Sequence, residues 1–131
     1  MTKFDNAQYD AEARERWGDS DACRESGRRT KQYVSEDWTT IKAQQDAIEA
    51  GLAGAMAAGA RADGERATDL AEEARLHIDR WFYPCSHTMH SSLADMYTAD
   101  ERFKANYEKR AEGLAEYVVA AIRANQEREG A

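Results

Sequence analysis

Proline occurs once in 131 residues and glycine eight times, so little in this sequence forces the backbone out of a helix. Alanine, glutamate and arginine are abundant instead, which excludes a sheet protein and predicts an all-α fold. Long apolar runs are missing as well. None approaches the ~20 residues that cross a bilayer as a helix, and the opening MTKFDNAQYD lacks the apolar stretch of a secretory signal. The expectation is a cytoplasmic protein with no membrane partner. Cysteine is scarce: Cys23 and Cys85 are read as free thiols, because a reducing compartment and an adequate core leave no need for a disulfide.

The charge that is present is of both signs. One third of the residues are charged and the net charge is -7, which repels phosphate backbones and argues against direct nucleic-acid binding. The basic cluster Arg24, Arg28, Arg29 and Lys31 is interrupted by Glu25 and followed by Glu36 and Asp37, the pattern of a solvated helix face. The length suits one folding unit with one hydrophobic core.

Apolar periodicity divides the chain into helices. From Ser35, taken as the cap, SEDWTTIKAQQDAIEAGLAGAM places Trp38, Ile41, Ile48, Leu52, Ala55 and Met56 near one face. Gly59 and Gly64 end this helix, and Asp63 is the expected cap of the next. That second helix carries Ala67, Leu70, Ala71, Ala74, Ile78, Trp81 and Phe82 on a stripe. Pro84 stops it and leaves Cys85 in a corner. Ser86 caps a third helix with Met89, Leu93, Met96 and Tyr97, and the spacing in TADE, Thr98 to Glu101, predicts a capping box for a fourth. Phe103 and Tyr107 pair on the fourth; Leu114, Tyr117, Val118, Ala121 and Ile122 mark the last. The alanine-rich patch from Ala50 to Ala62 reads as close helix packing or a flexible link.

Five core helices of uneven length suit a globin-like, orthogonally packed cluster better than a four-helix bundle. Tyr9 to Gly18 and Asp19 to Tyr33 have weaker stripes. We therefore expect a mobile N-terminal helical lid over 1–34, a core over 35–128 and a frayed tail over 129–131.

Three blocks, ERWGDSDACRESGRRTKQYVSEDW, WFYPCSHTMH and LADMYTADERFKANYEKRAEGLAEYVVAAIRAN, in this order and at these separations, resemble the TipAS antibiotic-recognition family, the drug-sensing part of certain MerR-class regulators. The resemblance runs from about Tyr9 to Asn125. It implies a globin-like core with a deep apolar cleft, N-terminal helices that close over a bound ligand, and large heteroaromatic peptide antibiotics, notably thiopeptides, as ligands. It also implies that Cys85, at the family's reactive-cysteine block, adds covalently to a dehydroalanine of the drug. No winged helix or coiled coil precedes residue 1, so the expectation is a stand-alone binder or the effector part of a longer regulator, without enzymatic activity and without a cofactor.

The candidate ligand contacts are Trp17, Tyr33, Trp81, Phe82, Tyr83, Met89, His90, Leu93 and Tyr97, aromatic surfaces for flat heterocycles with apolar neighbours. Trp38, Phe103 and Tyr117 are assigned to the core. Cys85 precedes a helix N-terminus, which lowers thiol pKa, and His87 and His90 stand near enough in sequence to take its proton. An inert buried cysteine is the competing reading. A metal site of Cys85, His87 and His90, joined by His77 or Cys23, is weak, because C-x-H-x-x-H is not a zinc spacing; His77 itself reads as a satisfied interior histidine. Two other classes stay open: a helical protein-interaction domain, and a thiol or metal sensor centred on Cys85, whose sign would be a strongly depressed thiol pKa.

Overall fold

The structure, a computed structural model, describes residues 21–129. Six helices follow one another: α1 (Asp21–Thr30), α2 (Ser35–Ala57), α3 (Glu65–Trp81), α4 (His87–Ala99), α5 (Glu101–Glu108) and α6 (Leu114–Arg128). The described residues are thus all-α, and none of their helices is long and apolar enough to cross a membrane. The segment Tyr9 to Gly18 lies outside the described residues.

The helices begin and end for local reasons, several of them different from those read in the sequence. Val34, not Ser35, occupies the cap of α2; the Asp37 carboxylate accepts from the Val34 amide at 3.0 Å, and Ser35 is already helical. Gly64, not Asp63, precedes α3, because the Asp63 carboxylate is taken up by Arg61. Ser86 caps α4 as expected, its hydroxyl accepting from the Met89 amide at 3.0 Å. Thr98 lies within α4, so the box predicted there does not form; Asp100 ends α4 and caps α5 through Arg102 N. The last helix starts after Gly113, whose φ of 85° suits a residue without a Cβ. The Glu108 carboxylate reaches back to accept from both Gly113 N and Ala115 N, 2.8 and 3.0 Å away.

The core lies where α2, α3, α4 and α6 meet, with α4 against α6 and α3 against α6 the most extensive pairs. Leu52, Ala71, Ala94, Leu114, Val118 and Ile122 are its buried centre. Small residues on the stripes let the helix axes approach, and Gly51 sits directly under Leu70: a Cβ there would meet Leu70 Cδ2 at 3.0 Å. The alanine-rich stretch is therefore close packing up to Ala57, where Gly59 at φ 81° turns the chain. A second, smaller cluster of Tyr83, Cys85, Leu93 and Met96 fills the corner between α3 and α4.

Candidate functional site

Three neighbourhoods hold the residues singled out in the sequence. The first is an aromatic group at the C-terminal end of α3. Tyr33 meets Trp38 and Trp81 edge-on, with ring centroids 5.7 and 5.5 Å apart, and Trp38 packs beside Phe82 at 6.3 Å. Trp81 donates from Nε1 to Gln44 Oε1 at 2.8 Å and carries the Arg80 guanidinium over its ring. Trp38, expected in the core, is only half-buried and belongs to this group. Both α1 and the turn after it are seated here. The Tyr33 hydroxyl donates to Trp81 O, and Arg29 Nη1 donates to Asp79 O at 2.7 Å. Arg29 is itself aligned by Glu25, which also pairs with Arg28, so the basic cluster is partly neutralised within its own helix. Trp17 lies outside the described residues.

The second neighbourhood is the corner. Tyr83, Cys85 and Leu93 are each at most 2% exposed, and Met89 packs against them half-buried. In this conformation none of the first three presents a surface to a ligand. The backbone of Cys85 is clamped from both sides by α3: its amide donates to Asp79 Oδ1 at 2.8 Å, and its carbonyl accepts from Arg75 Nη1 at 2.7 Å. Glu72 holds Arg75 in turn, and its Oε1 also takes hydrogen bonds from Asn125 Nδ2 and from His87 Nε2, each at 2.9 Å. These donors, Arg75 first, hold the Glu72 carboxyl down to about 2.

The thiol chemistry expected from the helix terminus is reversed by this burial. Desolvation pushes the Cys85 thiol up to about 12, and the Arg75 guanidinium offsets only part of it. The thiol points to Ser86 O at 3.7 Å. Neither histidine serves it, since His87 is bonded to Glu72 and no hydrogen bond joins His90 to the sulfur. Among the described residues no three His, Cys, Asp or Glu side chains converge as metal ligands. His77 is buried, with Nε2 3.1 Å from Ile41 O, and burial lowers its pKa.

The third neighbourhood is a cleft of about 30 Å³ at the junction of α2, α3, α4, α5 and α6. Ile48, Leu52, Ile78 and Val118 give it apolar walls; Gln45, Glu49, His90, Tyr97 and Tyr107 give it polar atoms. Of the ligand candidates, His90 and Tyr97 are here. Pockets that take drug-sized ligands measure roughly 300–1,000 Å³, about tenfold or more above this cleft as it stands. Tyr97 stacks obliquely on Phe103 and Tyr107, at 5.8 and 5.5 Å, and so links the cleft to the corner. Glu49 and Gln45 were missed in the sequence, although both sit at helical spacing among Ile41, Ile48 and Leu52, where a polar residue interrupts an apolar stripe.

Comparison with known proteins gives consistent results. The model of the TipAS antibiotic-recognition domain matches residues 9–125. The HTH-type transcriptional activator TipA of Streptomyces coelicolor is 44% identical over 122 residues, 93% of this chain and 48% of the relative. The chain spans about half the length of the curated relatives it matches. Among solved structures, TipAS of Streptomyces lividans in complex with nosiheptide, described as part of a thiopeptide multidrug resistance system, is similar with a TM-score of 0.87 and 42% identity, over 95% of this chain and 87% of that one. The antibiotic-binding domain of a TipA-class multidrug resistance regulator is similar with a TM-score of 0.64 and 40% identity, over 70% and 97%.

Proposed function

Because this chain belongs to the TipAS antibiotic-recognition family, we propose that it binds thiopeptide-type antibiotics, as a receptor that senses or sequesters them and not as an enzyme. The observation that carries this reading is the near-complete likeness of its helical fold to a domain solved with nosiheptide bound. The site supports it physically. Tyr33, Trp38, Trp81 and Phe82 offer large rigid faces for heteroaromatic rings at little entropic cost.

In this reading the N-terminal region over 1–34 covers the ligand, and the contacts of Arg29 and Tyr33 with the end of α3 are the ones that yield when it enters. Cys85 is the point of covalent capture only after the corner opens. The sulfur then adds to the terminal carbon of a dehydroalanine, the carbon–carbon π bond is consumed, and the thiol proton finishes on the adjacent carbon. Nothing leaves, so the protein gains the whole mass of the drug.

Calorimetric titration of nosiheptide into the wild type and into Cys85→Ala, followed by intact-protein mass spectrometry, tests both statements. Saturable binding in both proteins is expected, with a mass gain in the wild type alone. No binding to either protein overturns the receptor reading; binding without a mass gain overturns only the capture.

A further inference from the structure

The helix α1 itself brings little apolar surface to the rest of the molecule. Among its described residues from Arg24 to Thr30, the buried side chains are those of Ser26 and Thr30, both small and polar. The Thr30 hydroxyl turns back to donate to Ser26 O at 2.8 Å, and the Ser26 hydroxyl has no hydrogen-bond partner. Burial of such groups stabilises a docked helix far less than an apolar stripe does. What ties the segment down is the open end of α3, whose last carbonyls have no partners within their own helix and lie at its negative pole. Arg29 Nη1 donates to Asp79 O at 2.7 Å and more weakly to Arg80 O at 3.3 Å, and the Tyr33 hydroxyl donates to Trp81 O. Glu25, one turn before Arg29, accepts from its Nε at 2.6 Å and sets the guanidinium in place. Three consecutive carbonyls of α3 are thus taken by two side chains from outside it.

We propose that Arg29 and the Tyr33 hydroxyl form a latch that sets how long a bound ligand stays, by fastening α1 and the turn after it to the end of α3. The inference rests on the antibiotic-binding reading, in which this region covers the ligand, and adds what holds the cover shut. A ligand beneath the cover leaves only after the latch parts, whereas one arriving at an opened site meets no latch. Removing latch bonds therefore quickens departure and leaves arrival no slower. The charge-assisted bonds of Arg29 are the stronger half, and the neutral bond of Tyr33 is the weaker. The packing of the Tyr33 ring on Trp38 and Trp81 is separate from the latch, because the ring remains when the hydroxyl is removed.

Arg29→Gln and Tyr33→Phe, each made in a Cys85→Ala parent so that binding stays reversible, test this with nosiheptide by surface plasmon resonance, the fold of each being checked by far-ultraviolet circular dichroism. Dissociation about tenfold faster is expected in Arg29→Gln and about fivefold faster in Tyr33→Phe, with association no slower in either. Hydrogen exchange of the α1 amides without drug should quicken by similar factors, because the same bonds oppose local opening. Arg29→Lys, which keeps a positive charge at the helix end, should restore part of both effects. Unchanged dissociation in either variant overturns the inference. So does slower association, which marks a direct ligand contact, and so does unchanged α1 exchange, which shows that the bonds fasten nothing. If Arg29→Gln does not fold, Tyr33→Phe decides alone. If neither the wild type nor the Cys85→Ala parent binds nosiheptide, the receptor reading falls and this inference with it; where binding occurs, only the latch is at stake.

Discussion

Cys85 should react far more slowly than a free cysteine, and the structure gives the scale. A thiol held at about 12 instead of its ordinary 9.0 carries about a thousandfold less thiolate near neutral pH. A more basic thiolate is a better nucleophile, which in disulfide exchange returns roughly 15- to 30-fold of that loss. Acidity alone therefore slows attack from the closed form by about 30- to 60-fold. At 1% exposure the sulfur also offers almost no surface to a reagent, so the observed rate is set by transient openings of the corner. The assay is reaction with an aromatic disulfide reagent at pH 7.5 in a Cys23→Ser variant, where Cys85 is the remaining thiol, against N-acetylcysteine as reference. We expect at least a ~30-fold deficit that disappears in denaturant. A native rate within a few-fold of the reference would refute the reasoning, because the thiol would then be neither covered nor raised.

Acid should weaken the fold in a defined window. His90 is held neutral with its pKa depressed from 6.5 to about 4, so the stability it carries is complete above pH 6.5 and is lost as pH falls towards 4, by up to about 3 kcal/mol. Glu72, depressed from 4.5 to about 2, extends the loss below pH 4.5. Glu49, raised by burial, works the other way, so the melts between pH 7 and pH 3 are best made in Glu49→Gln: Tm should then fall monotonically, and a flat Tm down to pH 4 would exclude the buried neutral histidine. Two glycine substitutions should act in opposite directions although neither added Cβ meets another atom: Gly113→Ala, at φ 85°, loses about 1 kcal/mol, whereas Gly27→Ala, inside α1, is neutral or gains up to ~1 kcal/mol, as read by urea unfolding.

Much of the architecture is legible in the stripes. Leu52, Leu114, Val118 and Ile122 lie on apolar faces in the sequence and are buried in the structure, and Pro84 followed by Ser86 marks the corner correctly. The errors are at the ends: the Asp63 carboxylate is drawn off by Arg61, and Thr98 is still inside α4, so Asp100 caps α5 instead. The capping pattern within three residues of a helix start does not find Glu108, which serves the helix after its own across a turn of five to seven residues. The thiol shows the same limit more sharply. Sequence proximity to a helix terminus argues for a low pKa, but desolvation depends on Tyr83, Leu93 and Met96 packing around the cysteine, and that effect is the larger. Glu49, by contrast, could have been found: a carboxylate one turn from Gln45 on an otherwise apolar stripe is a signal that needs no coordinates.

The way α3 ends has a thermodynamic consequence. The closing carbonyls of a helix have no partners within it, and here Asp79 O and Trp81 O are satisfied by Arg29 and Tyr33, side chains contributed from some fifty residues earlier in the chain. Two segments that complete each other's hydrogen bonds share one free energy. Whatever loosens the strand of chain carrying Arg29 and Tyr33 must also fray the last turn of α3, from which Asp79 reaches to the Cys85 amide. Linkage makes the relation reciprocal: a ligand that strengthens this last turn tightens the hold on Arg29 and Tyr33 by the same factor, and one that prises them away loosens the grip on the cysteine corner equally.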